Sequence, residues 1–116
     1  MLQIPERLNM REATIEKYLV QQAKLLGGEV RKVQWIVRRG APDRQLMMPA
    51  RRLANSIDCA WCNPHGLAIW VELKASGVKP EPHQLREHKR MTDMGQHVVV
   101  VDSLSGVDQL LMGYRA

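Results

Sequence analysis

Three residues with the chemistry of phosphate hydrolysis lie in two short segments near the middle of the chain. The segment GAPDR at positions 40–44 contains Asp43, and VELK at 71–74 contains Glu72 and Lys74. Two carboxylates offer the hard oxygen ligands that a divalent cation prefers, and an ammonium group stabilises charge that develops on a phosphate. These residue types are therefore candidates for metal-assisted cleavage of a phosphodiester.

Strand alternation determines which of these side chains can meet. Residues 67–75 predict a strand on which Glu72 and Lys74 share one face, while Ile69, Val71 and Leu73 share the other and belong to the core. By itself this pattern is far more typical of a half-exposed strand with a cross-strand ion pair. If residues 43–48 form the preceding strand and pair antiparallel, Asp43 lies near Glu72 and the functional interpretation is favoured.

Two helices are expected to add side chains to the same place. A helix over 10–26, with Asn9 as its N-cap, has an apolar stripe of Ile15, Leu19, Ala23 and Leu26. Glu16 lies at the margin of that stripe and could reach a metal or its water. A second helix begins at Pro82 and runs to about Met94, with Gln84 in its first turn, from where it could hydrogen-bond Lys74 or a phosphate.

The remaining elements complete an α/β order. Alternation of Val33, Trp35 and Val37 predicts a first strand over 32–39. The unbroken valines of 98–101 predict a strand buried on both faces, and Ser105 is the expected cap of a last helix over 106–113. The predicted order is α-β-β-β-α-β-α, a mixed sheet flanked by helices.

Composition limits the class of protein. The 116 residues carry 17 basic and 12 acidic side chains, a net charge of +5, which favours a polyanionic partner without requiring one. Two cysteines are too few for a disulfide scaffold, and neither a signal peptide nor an apolar run long enough to span a membrane is visible. We therefore expect a cytoplasmic protein with no membrane partner and a single domain over 1–116.

Taken in order, the motifs resemble one nuclease family. Glu16, GAPDR, VELK, Gln84 and the segment GQHVVVVDS at 95–103 are similar to the VRR-NUC branch of the PD-(D/E)XK nucleases, over most of the chain. The resemblance implies a restriction-endonuclease-like core, with Asp43, Glu72 and Lys74 as the catalytic set and Glu16 and Gln84 as accessory residues. It also implies Mg²⁺ or Mn²⁺, held by Asp43, Glu72, Glu16 and the backbone carbonyl of Leu73.

The resemblance further implies a substrate, an assembly and a setting. Small stand-alone members look like homodimeric nucleases that act on four-way (Holliday) junctions or other branched DNA, in a bacterial cell or a phage-infected host. Two alternatives remain open from the residues. One is a nuclease directed to flaps or nicks, and the other is a catalytically silent DNA-binding module that assists recombination.

The chain departs from the family pattern in one interval. Asp43 and Glu72 are 29 positions apart, about twice the interval that the resemblance implies, so residues 49–66 are predicted to be an insertion in the hairpin. Asp58, which lies 14 positions before Glu72, is the rival first metal ligand. We favour Asp43, because a Gly-Ala-Pro segment precedes it and an arginine follows it.

The predicted insertion also contains a possible metal motif. Cys59, Cys62 and His65 have a spacing that could supply three zinc ligands, with His83 or His88 as a distant fourth. A structural zinc site normally has four ligands in two close pairs, and the second pair is missing. Two thiols and a loop histidine without metal is the favoured interpretation.

Basic residues around the predicted site are candidates for contact with DNA. We expect an electrostatic interface that recognises the shape of the DNA and not its base edges. The candidate residues are Arg38, Arg39, Arg44, Arg51, Arg52, Arg86, Lys89 and Arg90.

Overall fold

A computed structural model describes residues 10–50 and 66–114 of the chain. Its elements, in chain order, are α1 (Glu12–Leu25), β1 (Glu29–Lys32), β2 (Arg44–Met48), β3 (Leu67–Leu73), α2 (Pro82–Asp93), β4 (His97–Val101), α3 (Leu104–Leu111) and a 3₁₀ turn (Met112–Tyr114). The four strands form one sheet in the order β1-β2-β3-β4. The first three strands are antiparallel neighbours and β4 is parallel to β3, so the mixed sheet and the element order agree with the prediction.

The core lies between one face of the sheet and helices α1 and α3. Ile15, Leu19 and Ala23 of α1 are fully buried there, as the apolar stripe predicted. They pack with alternate residues of the strands and with two residues of α3, namely Leu46, Met48, Ile69, Val71, Leu73, Val107 and Leu111. Burial of each such leucine or isoleucine contributes about 1.5–3 kcal/mol, so this layer supplies much of the stability.

Strand β3 separates the core from the candidate site. Ile69, Val71 and Leu73 are buried in the core, as the alternation predicted. Glu72, on the opposite face of the same strand, contacts a side chain of α2. Helix α2 therefore covers the face that carries the polar residues.

The predicted first strand is wrong in position. Strand β1 ends at Lys32, and residues 33–43 form a loop. At its base, the backbone amide of Val33 donates a hydrogen bond to the carbonyl of Asp43 at 2.8 Å. Val37 has a positive φ of 61°, a conformation that no strand residue adopts. The alternation of apolar residues in this segment therefore does not reflect a strand, since Trp35 packs on Trp70 while Val37 is almost fully exposed.

The last strand and the last helix also differ from the prediction. Strand β4 is an edge of the described sheet, and its residues are mostly partly exposed or exposed, so it is not buried on both faces. Helix α3 begins at Leu104, because the Ser103 hydroxyl accepts a hydrogen bond from the amide of Gly106 at 2.9 Å, and Ser105 is not the cap.

Some predictions concern parts of the chain that are not described. Asn9, the predicted cap of the first helix, and most of the predicted insertion at 49–66 lie outside the described residues. Among residues 10–50 and 66–114, no helix has both the length and the apolar character needed to cross a bilayer.

Candidate active site

Asp43 and Glu72 meet at the end of the β2–β3 ladder. Arg44 pairs with Val71 in the antiparallel register, which brings the preceding residue, Asp43, opposite Glu72. The Asp43 side chain is 51% exposed, whereas that of Glu72 is only 10% exposed. Burial raises the pKa of Glu72 above its usual range, and the negative charge of Asp43 adds to that increase. The two carboxylates are thus close enough to repel each other.

Lys74 lies on the same face, two residues after Glu72. Its Nζ donates to Oε1 of Gln84 at 2.9 Å and lies 3.9 Å from Oε2 of Glu72. Both side chains are largely buried, so their charges are weakly screened. The ammonium group is held at the edge of the acidic pair, where it lowers the energy of the ionised Glu72.

The start of helix α2 holds Gln84 in place. Pro82 begins the helix, and Oε1 of Gln84 accepts a hydrogen bond from the amide of Glu81 at 2.7 Å, one half of a capping box. The side-chain nitrogen Nε2 of Gln84 donates to Oε2 of Glu72 at 3.4 Å. Gln84 therefore links the helix cap to both Glu72 and Lys74, as its predicted position in the first turn allows.

His88 is a residue of the site that sequence reasoning missed. Its Nε2 lies 3.2 Å from Oε1 of Glu72, and the ring is buried. His88 follows Gln84 by four positions, so both side chains project from one face of α2. That spacing was the available signal, although the histidine was considered only as a distant zinc ligand. His88 fixes one oxygen of Glu72 and so orients the carboxylate.

Glu16 reaches the site through an arginine. The Arg44 guanidinium is buried in the core-facing layer, with its Nε donating to Oε2 of Glu16 at 2.5 Å and its Nη1 lying 2.8 Å from Oδ1 of Asp43. The hydrogen bond with Glu16 is the largest of the effects that raise the pKa of Arg44, so the guanidinium stays charged. The structure thus joins Glu16, Arg44 and Asp43 in one chain of ion pairs.

An open cleft borders Asp43 on the side of the β1–β2 loop. It has a volume of about 680 Å³ and is lined by Lys32, Val33, Gln34, Trp35, Arg38 and Asp43. The indole ring of Trp35 packs against that of Trp70, with centroids 5.1 Å apart, and its Nε1 donates to the carbonyl of Pro42. The cleft is therefore shaped by a loop whose side chains are fixed beside the acidic pair.

Known proteins share this fold and much of this sequence. No protein-family model matches the chain. A curated protein of Acyrthosiphon pisum secondary endosymbiont phage 1, named "Putative nuclease p44", is 40% identical over 94 residues, which are 81% of this chain and 85% of that protein. A solved structure described as a VRR_NUC domain is 36% identical, with a TM-score of 0.70 over 91% of this chain and 99% of that one. The chain belongs to the VRR-NUC family of nucleases.

The donor set of this VRR-NUC nuclease suits a hard cation. Asp43 and Glu72 supply carboxylate oxygens, and their mutual repulsion is relieved when a cation lies between them. Among the described residues, no group of three metal-ligating side chains occurs. Mg²⁺ is commonly held by one or two carboxylates with waters and substrate phosphates, and Asp43 and Glu72 fit that pattern. Glu16 and the Leu73 carbonyl remain predicted ligands.

The predicted DNA contacts of the VRR-NUC nuclease differ in their surroundings. Arg39 and Arg86 are exposed, Arg38 and Arg90 both pair with Glu87, and Lys89 pairs with Asp93. Arg44 is buried between two carboxylates, which favours a role in positioning Asp43 over contact with a phosphate. Arg51 and Arg52, like Asp58, Cys59, Cys62 and His65, lie outside the described residues.

Proposed function

We propose that this VRR-NUC nuclease is a divalent-metal-dependent endonuclease that hydrolyses phosphodiester bonds in branched DNA, with four-way junctions as its main substrate. The observation that carries the proposal is the arrangement of Asp43 opposite Glu72 with Lys74 beside them. A protein that only binds DNA has no need of two carboxylates next to the phosphate that it contacts. Asp43, Glu72 and Lys74 together have the chemistry of a hydrolase site.

Each residue of the site has a separate role in the proposed hydrolysis. Asp43 and Glu72 would hold Mg²⁺ or Mn²⁺, and the bound ion would polarise the phosphate and lower the pKa of a water molecule. Lys74 stabilises the negative charge that grows on the phosphate oxygens as water attacks phosphorus in line. The attacking water gives up a proton to solvent, the ester P–O bond opposite it breaks, and the departing oxygen takes a proton from solvent. Gln84 and His88 keep Lys74 and Glu72 in position.

Symmetric cutting of a junction requires two sites. One site cuts one strand, so resolution of a four-way junction calls for two copies related by a two-fold axis. We therefore include a homodimer in the proposal. Sedimentation of the protein alone and on a junction measures the number of copies at each stage.

The deciding experiment compares DNA structures and metals. Labelled four-way junction, flap, nicked and linear duplexes are incubated with the protein in Mg²⁺, Mn²⁺ or EDTA. We expect junction cutting with either metal and none in EDTA, and Lys74→Ala should bind DNA but cut roughly 100-fold more slowly. Lys79→Ala, in the exposed turn that follows, is the matched control and should cut normally.

Each other outcome has a definite meaning. If the wild-type protein cuts none of these DNAs with either metal, the nuclease chemistry is refuted for this chain. If flaps or nicks are cut faster than junctions, the chemistry stands and the substrate class is wrong. If Lys74→Ala cuts as fast as Lys79→Ala, the assignment of Lys74 is wrong.

A further inference from the structure

Two neighbouring hydrophobic residues are almost fully exposed beside the site. Ile36 is 85% exposed and Val37 is 99% exposed, at the tip of the β1–β2 loop. A single exposed apolar residue needs no explanation, but Val37 also has a positive φ of 61°. A β-branched residue is disfavoured in that conformation, so the backbone is strained at this tip.

The loop is fixed on both sides of its tip. On one side, Trp35 stacks on Trp70 and donates to the carbonyl of Pro42. On the other, Arg38 makes two hydrogen bonds to the carboxylate of Glu87, at 2.8 and 2.7 Å. The tip between these attachments therefore projects from a defined base.

The surroundings of the tip suit a nucleic acid. Arg38 and Arg39 follow Val37 directly, and Arg38 lines the same cleft as Asp43. Arg38 is paired with Glu87, whereas Arg39 is exposed, and an exposed cation next to an apolar tip matches a polyanion whose interior is a stack of apolar base faces. A hydrophobic protein partner would gain nothing from the neighbouring arginines, which it would have to desolvate.

We propose that Ile36 and Val37 form a wedge that inserts between adjacent bases of branched DNA next to the scissile phosphate. This inference rests on the proposed function and adds the residues that select the substrate. Apolar side chains inserted at a base step unstack it and bend the DNA. Unstacking costs least where pairing is already interrupted, so a wedge beside Asp43 favours branch points over continuous duplex.

A fluorescence experiment tests insertion separately from cutting. A four-way junction carries 2-aminopurine next to the branch point, and binding is measured in EDTA. We expect wild-type protein to raise the fluorescence several-fold, since unstacking relieves quenching, and the double variant Ile36→Ala/Val37→Ala to leave it near the level of free DNA. Leu25→Ala, at an exposed residue that ends α1, is the matched control and should behave as wild type.

Cutting assays separate this inference from the function on which it rests. In Mg²⁺ the double variant should cut the junction roughly tenfold more slowly, whereas Leu25→Ala should not. Equal fluorescence and equal cutting by wild type and double variant would overturn the wedge and leave the nuclease intact. Increased fluorescence without cutting in any metal would instead refute the nuclease and retain the wedge.

Two further measurements address folding and assembly. Val37→Gly relieves the positive φ, so its thermal midpoint should rise, by about 4 °C, while its effect on fluorescence falls. A lower midpoint would show that the backbone here is not strained and would count against the wedge.

If the double variant sediments at half the mass of the wild-type protein, the tip is a contact between two copies and the wedge is wrong.

Discussion

Opposing effects act on the carboxyl group of Glu72. Burial raises its pKa, whereas His88 and Lys74 favour the ionised form and Asp43 opposes it. The carboxylate is thus kept in a place where its charge is costly unless a cation is bound. Under the proposed function, the side chain whose ionisation costs most on folding is one that would bind the metal.

Metal binding should therefore stabilise the fold, and this predicts which acids are ligands. At a Mg²⁺ concentration ten times the Kd, the free energy of unfolding should rise by about 1.4 kcal/mol. Asp43→Asn should lose that increase, because it removes a ligand. The thermal midpoint with and without Mg²⁺ measures both. Asp58→Asn is the control, and loss of the Mg²⁺ effect in Asp58→Asn alone would show that Asp43 is the wrong choice.

At the scale of elements, the β1–β2 loop depends on its contact with α2. Gly40 has φ 90°, and a Cβ there would lie 2.8 Å from the carbonyl oxygen of His83. Gly77 has φ 78° but no atom within 4 Å of such a Cβ. Both glycines have a positive φ, and they differ in that only Gly40 lies close to helix α2.

This difference predicts unequal costs of one substitution. Gly77→Ala should lower the free energy of unfolding by about 1 kcal/mol through backbone strain. Gly40→Ala should lower it by about 2–4 kcal/mol, since overpacking against α2 is added. Urea unfolding of both variants measures the two values. Equal losses would mean that the loop does not pack on the helix as described.

The ion pair between the loop and α2 predicts a pH dependence. The hydrogen bond from Arg38 lowers the pKa of Glu87, so the folded state binds this proton less tightly than the unfolded state. The resulting stability is present at pH values above the pKa of Glu87 in the unfolded chain and is lost as pH falls through its lower pKa in the folded protein. Glu87→Gln should therefore flatten the stability curve on the acid side.

The neighbouring exposed pair provides the control for this measurement. Lys89 and Asp93 lie four positions apart on the same helix, with both side chains well exposed. Such pairs contribute little, so Asp93→Asn should leave the acid side of the curve unchanged. A flattening of similar size in Asp93→Asn would assign the effect to the helix surface and not to the loop.

Local periodicity explains which elements could be predicted. The stripe of Ile15, Leu19 and Ala23 and the alternation along β3 both arise from one buried face, and both were correct. The alternation around Trp35 was misleading, because that side chain is held by Trp70 and Pro42 in a loop. Alternation shows that residues differ in burial, but not that a strand is the cause.

The site was predictable only as far as its residues lie on regular elements. Asp43, Glu72, Lys74 and Gln84 follow from strand register and a helix start, and the structure brings them together. The parts played by Arg44 and His88 depend on how α1 and α2 dock on the sheet. No pattern within one segment contains that information.

At the scale of the whole molecule, the net charge of +5 predicts how binding responds to salt. If about five phosphates are neutralised, the logarithm of affinity should fall with the logarithm of salt concentration with a slope near −4.5. Arg86→Ala should reduce that slope by about 0.9, whereas Lys24→Ala, in the last turn of α1, should not change it. A slope that is identical in wild type and Arg86→Ala would remove this arginine from the interface.

The sheet has two unlike edges in the described part of the chain. β1 is short and mostly exposed, and it carries Glu29, Arg31 and Lys32, the charged kind of edge that resists pairing with another strand. β4 consists of His97 and four valines and contains no Asp, Glu, Lys or Arg, the kind of edge that accepts a further strand. Within the described residues, we therefore expect edge-to-edge pairing with a second copy along β4 and not along β1. Association through β4 would end at two copies, whereas a sheet with two receptive edges could grow into a fibre.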